Sequence, residues 1–400
     1  MKVLQIHNHY TARGGEDSVV EAEARLLADA GHQVDTLRVR NPGGARAALA
    51  LAGAPWNPPR RAELRDRLRA DRPDVAHLHN TWFSLSPSIV DALADAGVPT
   101  VMTLHNYRLV CGNALLFRDG AVCTDCVGGQ PWHAVRHGCY RGSRTQSAVA
   151  AATIALHARR GTWEHVTRFL APSRFVRDVY VAAGFDASRI TVKPHSAADP
   201  GPRTLPPSAS RRVLCLGRLA PEKGIDTLLD AWRAAGHDDL ELVLVGDGPR
   251  HADLARRAPD NVRFTGWLPA EQVRTQLLRS RAVVVPTECY ETFGMTAVEG
   301  MAAGVPVLAS DIAGPADVAG ELGPAWLAPP GDVEGWSDAL LRLRDDAIVD
   351  AVGQAARDIY LRRYTEETGL RSLLASYQNA IESARCGRRA ELSGNRHEKG

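Results

Sequence analysis

No run in this 400-residue chain reaches the roughly 18 consecutive apolar residues that a membrane-spanning helix needs. A strong charge of either sign is also missing. The 48 Lys and Arg face 46 Asp and Glu, and a net +2 argues against a dedicated nucleic-acid binder, which would carry a strongly basic domain. Seven cysteines are an odd number, four of them within thirty residues and the rest scattered, so no secreted disulfide framework is expected. There is no Gly-x-Gly-x-x-Gly fingerprint, and the second apolar strand ends in Arg38 and Arg40 where a dinucleotide fold places a ribose-binding acid. The opening MKVLQIHNHY reads as a strand and not as a signal peptide, so a cytoplasmic location is expected.

What is present is a chain of 44% hydrophobic residues, long enough to bury the cores of two domains. Residues 1–200 carry a net +6 and residues 201–400 a net −4, as two different modules would. The start alternates: the apolar run KVLQIH, a Gly-Gly turn, a helical stretch from about Glu16 to Ala30 stopped by Gly31, then QVDTLRV. Short apolar strands recur at DVAHLH, PTVMTLH, RFLAPS and ITVKP, which implies a mostly parallel sheet over residues 1–195. Residues 196–212, SAADPGPRTLPPSASRR, break this rhythm and read as an interdomain linker. The pattern restarts with RVLCLGRL, LELVLVGDG, NVRFTGWL, RAVVVPTE and GVPVLASD, five strands of a second doubly wound domain over 213–345. Residues 346–384 read as terminal helix and 385–400 as a disordered tail.

In an open parallel sheet, ligands sit beyond the carboxyl ends of the strands. There the segment GRLAPEKG sets Arg218 and Lys223 five apart on a turn, with Gly217 and Gly224 permitting close backbone approach; two cations beside a strand end suit a diphosphate. After VVVPT come Glu291, then Phe293 and Gly294, then a helix from about Met295. A glycine at that position leaves the free N–H groups of the first turn open to a phosphate oxygen. Glu299, just over one turn into the helix, is placed to accept hydrogen bonds from ribose hydroxyls, and Glu291 to meet a sugar further out. A lone helical Glu is usually a solvated surface residue. The signal is the joint occurrence of these groups at successive strand ends.

GRLAPEKG, LVLVGDGP, FTGWLP and YETFGMTAVEGMAAGVPVLASD resemble, in order and spacing, the retaining glycosyltransferases of family 4, and the resemblance covers nearly the whole chain. Its most specific part is the pattern Glu, seven residues, Glu. It implies an α/β GT-B architecture, two Rossmann-like domains facing across a cleft. The nucleotide-sugar donor would then be held mainly by the C-terminal domain, with the base against the backbone near Gly266, Trp267 and Leu268. It also implies that the Gly14-Gly15 loop approaches the donor diphosphate from the other side and that His105 lies beside the donor sugar. Two departures stand out: Gly300 where the family usually has Ala, at about 1 kcal/mol of helix propensity, and PHSAAD in place of Asn-Gly-x-Asp near the hinge.

On this reading His105, Arg218, Lys223 and Glu291 carry the chemistry, and Gly14, Gly15, Gly217, Gly266, Trp267, Leu268, Phe293, Gly294, Met295 and Glu299 hold the donor. No carboxylate of the first half is obviously positioned as a nucleophile. That suits a front-face mechanism in which the leaving diphosphate helps deprotonate the acceptor hydroxyl while the cations stabilise its charge. His77 and His79 either line the acceptor side or pack the strand. Cys111, Cys123, Cys126 and Cys139, in an insertion at about 106–145, read either as ligands of a structural zinc or another cysteine staple, or as reduced buried thiols. Eight arginines and one acid between Arg136 and Arg177 read as a solvated helical face, or as attraction to a phosphate-bearing or lipid-linked acceptor or an anionic membrane surface.

The expected activity is transfer of a sugar from a nucleoside diphosphate sugar, a UDP-sugar favoured over a GDP-sugar, to a hydroxyl of a glycan, glycolipid or small natural product. No cofactor is expected for catalysis. The alternatives are a GT-B nucleotide-sugar epimerase and a non-catalytic nucleotide-sugar-binding protein.

Overall fold

The computed structural model of the chain describes residues 1–10 and 14–397, with side chains described as far as Cys386. The first half contains β1 (Lys2–His9), β2 (Gln33–Arg40), β3 (Val75–Asn80) and β4 (Thr100–Thr103), a small hairpin of β5 (Phe117–Arg118) and β6 (Ala121–Val122), then β7 (Arg168–Ala171) and β8 (Ile190–Val192). Apart from the hairpin these strands form one parallel sheet in the order β2-β1-β3-β4-β7-β8. The second half contains β9 (Arg212–Leu216), β10 (Glu241–Val245), β11 (Val262–Gly266), β12 (Ala282–Val285), β13 (Val307–Ser310) and β14 (Leu327–Ala328), parallel in the order β11-β10-β9-β12-β13-β14. The sixth strand of this sheet, with two residues, is too short to show a period in the sequence.

Both sheets are buried on both faces, as parallel sheets with crossover helices are. Alternation of side chains divides each strand between two cores. Val3, Val75, Val101 and Leu170 face the last helix through Leu373, Tyr377 and Ala380, while Leu4, Ala76 and Met102 belong to the larger core on the other face. In the second sheet Val213, Leu242 and Val284 pack on one side and Leu214, Val243 and Val283 on the other. The last helix, Glu366–His397, thus belongs by sequence to the second half but packs on the first. It continues through His397, which corrects the expectation of a structureless tail from residue 385; residues 398–400 lie outside the described residues.

Each sheet reverses its strand order once, between β1 and β3 and between β9 and β12, and a crevice opens at such a reversal. The two sets of carboxyl ends meet. Thr292 Oγ1, after β12, donates to His105 O, after β4, at 3.1 Å. The Phe293 ring meets the His195 ring edge-on at 5.2 Å, and Tyr290 packs on Phe175 at 4.6 Å.

Candidate active site

Gly224 draws the β9 loop onto the β12 loop. Its φ is +63°, and a Cβ there would lie 1.9 Å from Pro286 O, so only glycine allows this approach. Glu288 N and Thr287 Oγ1 both donate to Glu222 O, at 3.0 and 3.1 Å, and lock the two loops together. Lys223 is thereby set against Glu291, Nζ to Oε2 2.7 Å. Burial is the largest influence and works to lower the Lys223 pKa, but the charge and hydrogen bond of Glu291, with Cys289 and Glu222, together outweigh it and the net shift is upward, so the ammonium is fixed. Arg218, largely exposed, pairs with Glu222. Both cations predicted for a diphosphate are present at one strand end, each resting on a carboxylate.

Gly294 is the N-cap of the Met295–Ala302 helix with φ +97°, and a Cβ would come within 3.2 Å of Pro315 Cα. Phe293 is buried under this turn and Met295 is the first helical residue. Glu299 is half-buried, its side chain makes no hydrogen bond among the described residues, and burial raises its pKa to about 7. A half-buried carboxyl without a protein partner can accept hydrogen bonds from hydroxyl donors. Gly217 follows β9 directly, and Gly266 ends β11 with its carbonyl bonded by Gly246 N at 2.9 Å. Trp267 beyond it is 75% exposed, Leu268 packs on the core, and the strand end therefore offers backbone more than indole.

Across the cleft, His105 is one member of a histidine column. Its Nε2 lies 3.0 Å from His79 Nδ1, its ring stacks on His195 at 5.3 Å, and burial lowers its pKa well below the ordinary value. Beneath, Glu23 Oε1 pairs with buried Lys193 Nζ at 2.6 Å. Burial alone would raise Glu23, but Lys193 and His77 hold it below the usual range, so it is ionised. Glu23 Oε2 and His79 Nε2 are buried with no hydrogen bond to a described residue, and Oε2 lies 3.7 Å from His77 Nδ1 and 3.9 Å from His79 Nε2. Facing a carboxylate, Nε2 of His79 keeps the proton. Its Nδ1 then accepts from His105 Nε2–H, which leaves His105 Nδ1 as an acceptor with no hydrogen bond among the described residues; this tautomer is assigned from the network.

Gly14 is the N-cap and Gly15 the first residue of the Gly15–Asp29 helix. Asp17 Oδ2 accepts from Gly14 N at 2.8 Å, and Asp17 Oδ1 holds His7 and His9 at 2.8 and 2.6 Å. Glu16 points elsewhere: Asn80 Nδ2 donates to it at 3.1 Å and Asn106 Nδ2 at 3.3 Å, and burial raises its pKa to about 8. Glu16, Glu23, Lys193 and His195 were not singled out from the sequence. For Glu16 a signal existed, because two acids follow Gly14-Gly15 where capping uses one. For Glu23 and Lys193, 170 positions apart, no local signal exists.

His77 is a packing residue, bonded through Nδ1 to Tyr377 OH and through Nε2 to Thr103 Oγ1, both at 2.8 Å. Of the eight arginines between Arg136 and Arg177, six are exposed and Arg168 and Arg177 are half-buried. No helix among the described residues is long and apolar enough to cross a membrane.

Two family models match consecutive parts of the chain: Glycosyltransferase Family 4 over residues 13–196 and Glycosyl transferases group 1 over residues 210–346. The GDP-mannose-dependent alpha-mannosyltransferase of Mycolicibacterium smegmatis is 32% identical over 273 residues, 68% of this chain and 64% of that protein. The 2-deoxystreptamine glucosyltransferase of Streptomyces kanamyceticus is 30% identical over 194 residues, 45% of this chain and 49% of that protein. The chain thus spans between half and two thirds of these relatives' lengths. Anabaena Alr3699/HepE, solved in complex with UDP and glucose, superposes with a TM-score of 0.65 at 18% identity, covering 94% of this chain and 99% of that one. A glycosyltransferase from Rickettsia africae gives 0.68 at 14% identity over 95% and 98%. These two likenesses establish the GT-B fold. Taken with the two family models and the Glu291 to Glu299 pattern at the β12 switch point, they show that the chain belongs to the family 4 glycosyltransferases.

Proposed function

We propose that the protein transfers a sugar from a nucleoside diphosphate sugar to an acceptor hydroxyl with retention of configuration. The observation that carries this reading is the Lys223–Glu291 pair, 2.7 Å apart, at the switch point of one sheet and joined through Thr292 to His105 at the end of the other. A diphosphate takes Lys223 and Arg218 away from their carboxylates and rests its remaining charge on the helix start at Gly294. Glu291, released, accepts from sugar hydroxyls, and Glu299 accepts from the ribose. The neutral His105 offers Nδ1 as an acceptor to a sugar hydroxyl, oriented by His79 and Glu23. The acceptor enters on the side of Glu16, which at neutral pH keeps its proton and can both donate and accept. The acceptor proton passes to the leaving diphosphate, whose charge the two cations stabilise without a divalent metal. The six exposed arginines between Arg136 and Arg177 favour an acceptor that carries phosphate or a lipid headgroup.

A structural neighbour solved with UDP and glucose and a relative named for GDP-mannose-dependent mannosyl transfer leave the donor open between UDP- and GDP-sugars. A panel of UDP-, GDP- and ADP-sugars, read by thermal stabilisation and by slow donor hydrolysis, identifies it without the acceptor. One donor should stabilise and be hydrolysed, with or without EDTA. No stabilisation by any donor, release of an epimerised donor, or hydrolysis that needs magnesium would each overturn the reading as stated.

A further inference from the structure

The proposed transfer uses none of Cys111, Cys123, Cys126 and Cys139. They come from three separate segments: the loop after β4, the knuckle following the β5–β6 hairpin, and the loop after the His133–His137 helix. All four are free thiols, and all four line one cavity of ≈ 10 Å³ together with Gly112, Arg118 and Ala134. That is the room of a single small sphere. Regular structure in this insertion amounts to two strands of two residues and a helix of five, and its buried apolar anchors in the large core, Tyr107, Leu109, Val110 and Leu116, all precede the hairpin. Yet its parts are packed tightly around the cysteines: a Cβ on Gly112 would lie 2.5 Å from Ala134 Cβ.

The surroundings suit thiolates. The backbone amides of Ala134 and Gly112 face Cys126, and the Arg118 guanidinium lies on the cavity wall beside Cys139. Without an ion, two of the four sulfurs rest on other partners. Cys111 Sγ then donates to Asn113 Oδ1 at 3.0 Å, and Cys126 Sγ lies 3.9 Å from Pro131 O. The clusters already drawn together tightly enough for an ion are elsewhere, His7–His9–Asp17 and Glu23–His77–His79, and each is accounted for by its own hydrogen bonds or by Lys193.

We propose that Cys111, Cys123, Cys126 and Cys139 form a structural zinc site, one ion held by four thiolates at the centre of this insertion. Cys111 turns from Asn113 into the cavity, the four thiols release four protons, and the resulting site of charge −2 is met by Arg118 and the two amides. Such a closed four-sulfur shell leaves no position for substrate. Its purpose is read from its neighbour: Cys139 precedes Tyr140, whose ring lies under Arg108 at 5.1 Å and Arg141 at 5.2 Å and whose hydroxyl accepts from Trp82 Nε1 at 3.1 Å. The ion thereby anchors an Arg–aromatic rim on the N-terminal domain.

Metal analysis of the full chain, purified with neither zinc nor chelator added, should find about one zinc per protein. The double variant Cys126→Ser, Cys139→Ser should hold less than about a tenth of that, whereas Cys386→Ser, outside the cluster, should hold it all. Exchange into cobalt should give the thiolate charge-transfer and intense ligand-field bands of tetrahedral sulfur ligation in the unmutated protein, whether or not the double variant folds. Stripping zinc should lower the melting temperature, and adding it back should restore it. Wild-type protein that is metal-free, takes up neither zinc nor cobalt and alkylates at all four thiols would overturn the proposal. So would disulfides among the four, or zinc retained by the folded double variant.

Discussion

Glu299 should make donor affinity depend on pH, in a direction and size that its surroundings set. Its carboxyl is half-buried, unbonded, and raised by burial to about 7, so at pH 6 it is mostly neutral and at pH 8 mostly charged. Hydroxyl donors stabilise the charged form. Donor binding therefore lowers the Glu299 pKa and releases a proton, and affinity rises with pH through the window around the free value. If the bound carboxyl titrates well below pH 6, the gain between pH 6 and pH 8 is about tenfold, or ~1.4 kcal/mol. A nucleotide sugar is the right ligand, because both its phosphates are diesters and titrate outside this range, whereas a free nucleoside diphosphate has a terminal phosphate that does not. Calorimetric titration of wild type and Glu299→Gln at several pH values reads the slope, and in two buffers of different ionisation enthalpy it reads the proton released. The wild type should tighten by about tenfold and Glu299→Gln should be flat. An equal slope in both proteins, or affinity that falls with pH, would refute the ribose role and the burial argument behind it.

Lys223→Ala should cut kcat/KM at least about 100-fold, close to 3 kcal/mol of lost transition-state stabilisation. Adding Glu291→Gln to it should cost less than Glu291→Gln alone, because the two side chains act as a pair; additive losses would separate them. Gly300→Ala, which restores the family's usual residue and about 1 kcal/mol of helix propensity, should nevertheless destabilise by about 1–3 kcal/mol in urea unfolding, because the new Cβ would lie 2.9 Å from Val307 Cγ2 and 3.1 Å from Val283 Cβ. A gain in stability would show that the two valines yield. Lys193→Met should cost about 3–5 kcal/mol by leaving Glu23 buried and unpaired, and Glu23→Gln in the same chain should return much of it; a double variant no more stable than Lys193→Met would refute the pairing.

Groups close in sequence were legible, and groups that meet only through topology were not. Arg218, Lys223, Glu291, Gly294 and Glu299 lie just beyond two apolar strands, and a strand followed by glycines and charged residues announces a carboxyl-end loop wherever the sheet is parallel. What could not be read is that β9 and β12 are neighbours, which alone turns two such loops into the Lys223–Glu291 contact. The histidines show the limit more sharply. His7, His79, His105 and His195 each follow or end an apolar strand, and taken singly each is as well explained by packing. The order β2-β1-β3-β4-β7-β8 brings the ends of β1, β3 and β4 side by side, and only then does burial strip these rings of charge and leave proton placement to their partners. Glu23 and Lys193 sit below them on a helix and at a strand end that no window of sequence contains together. A buried ion pair of this kind sets a tautomer at a distance, so its chemistry is visible only when the fold has joined the two ends of the domain. The same reasoning explains Gly300: as a helix residue it looks like a loss, but between Val283 and Val307 it is the residue that lets the Met295–Ala302 helix lie close against β12 and β13.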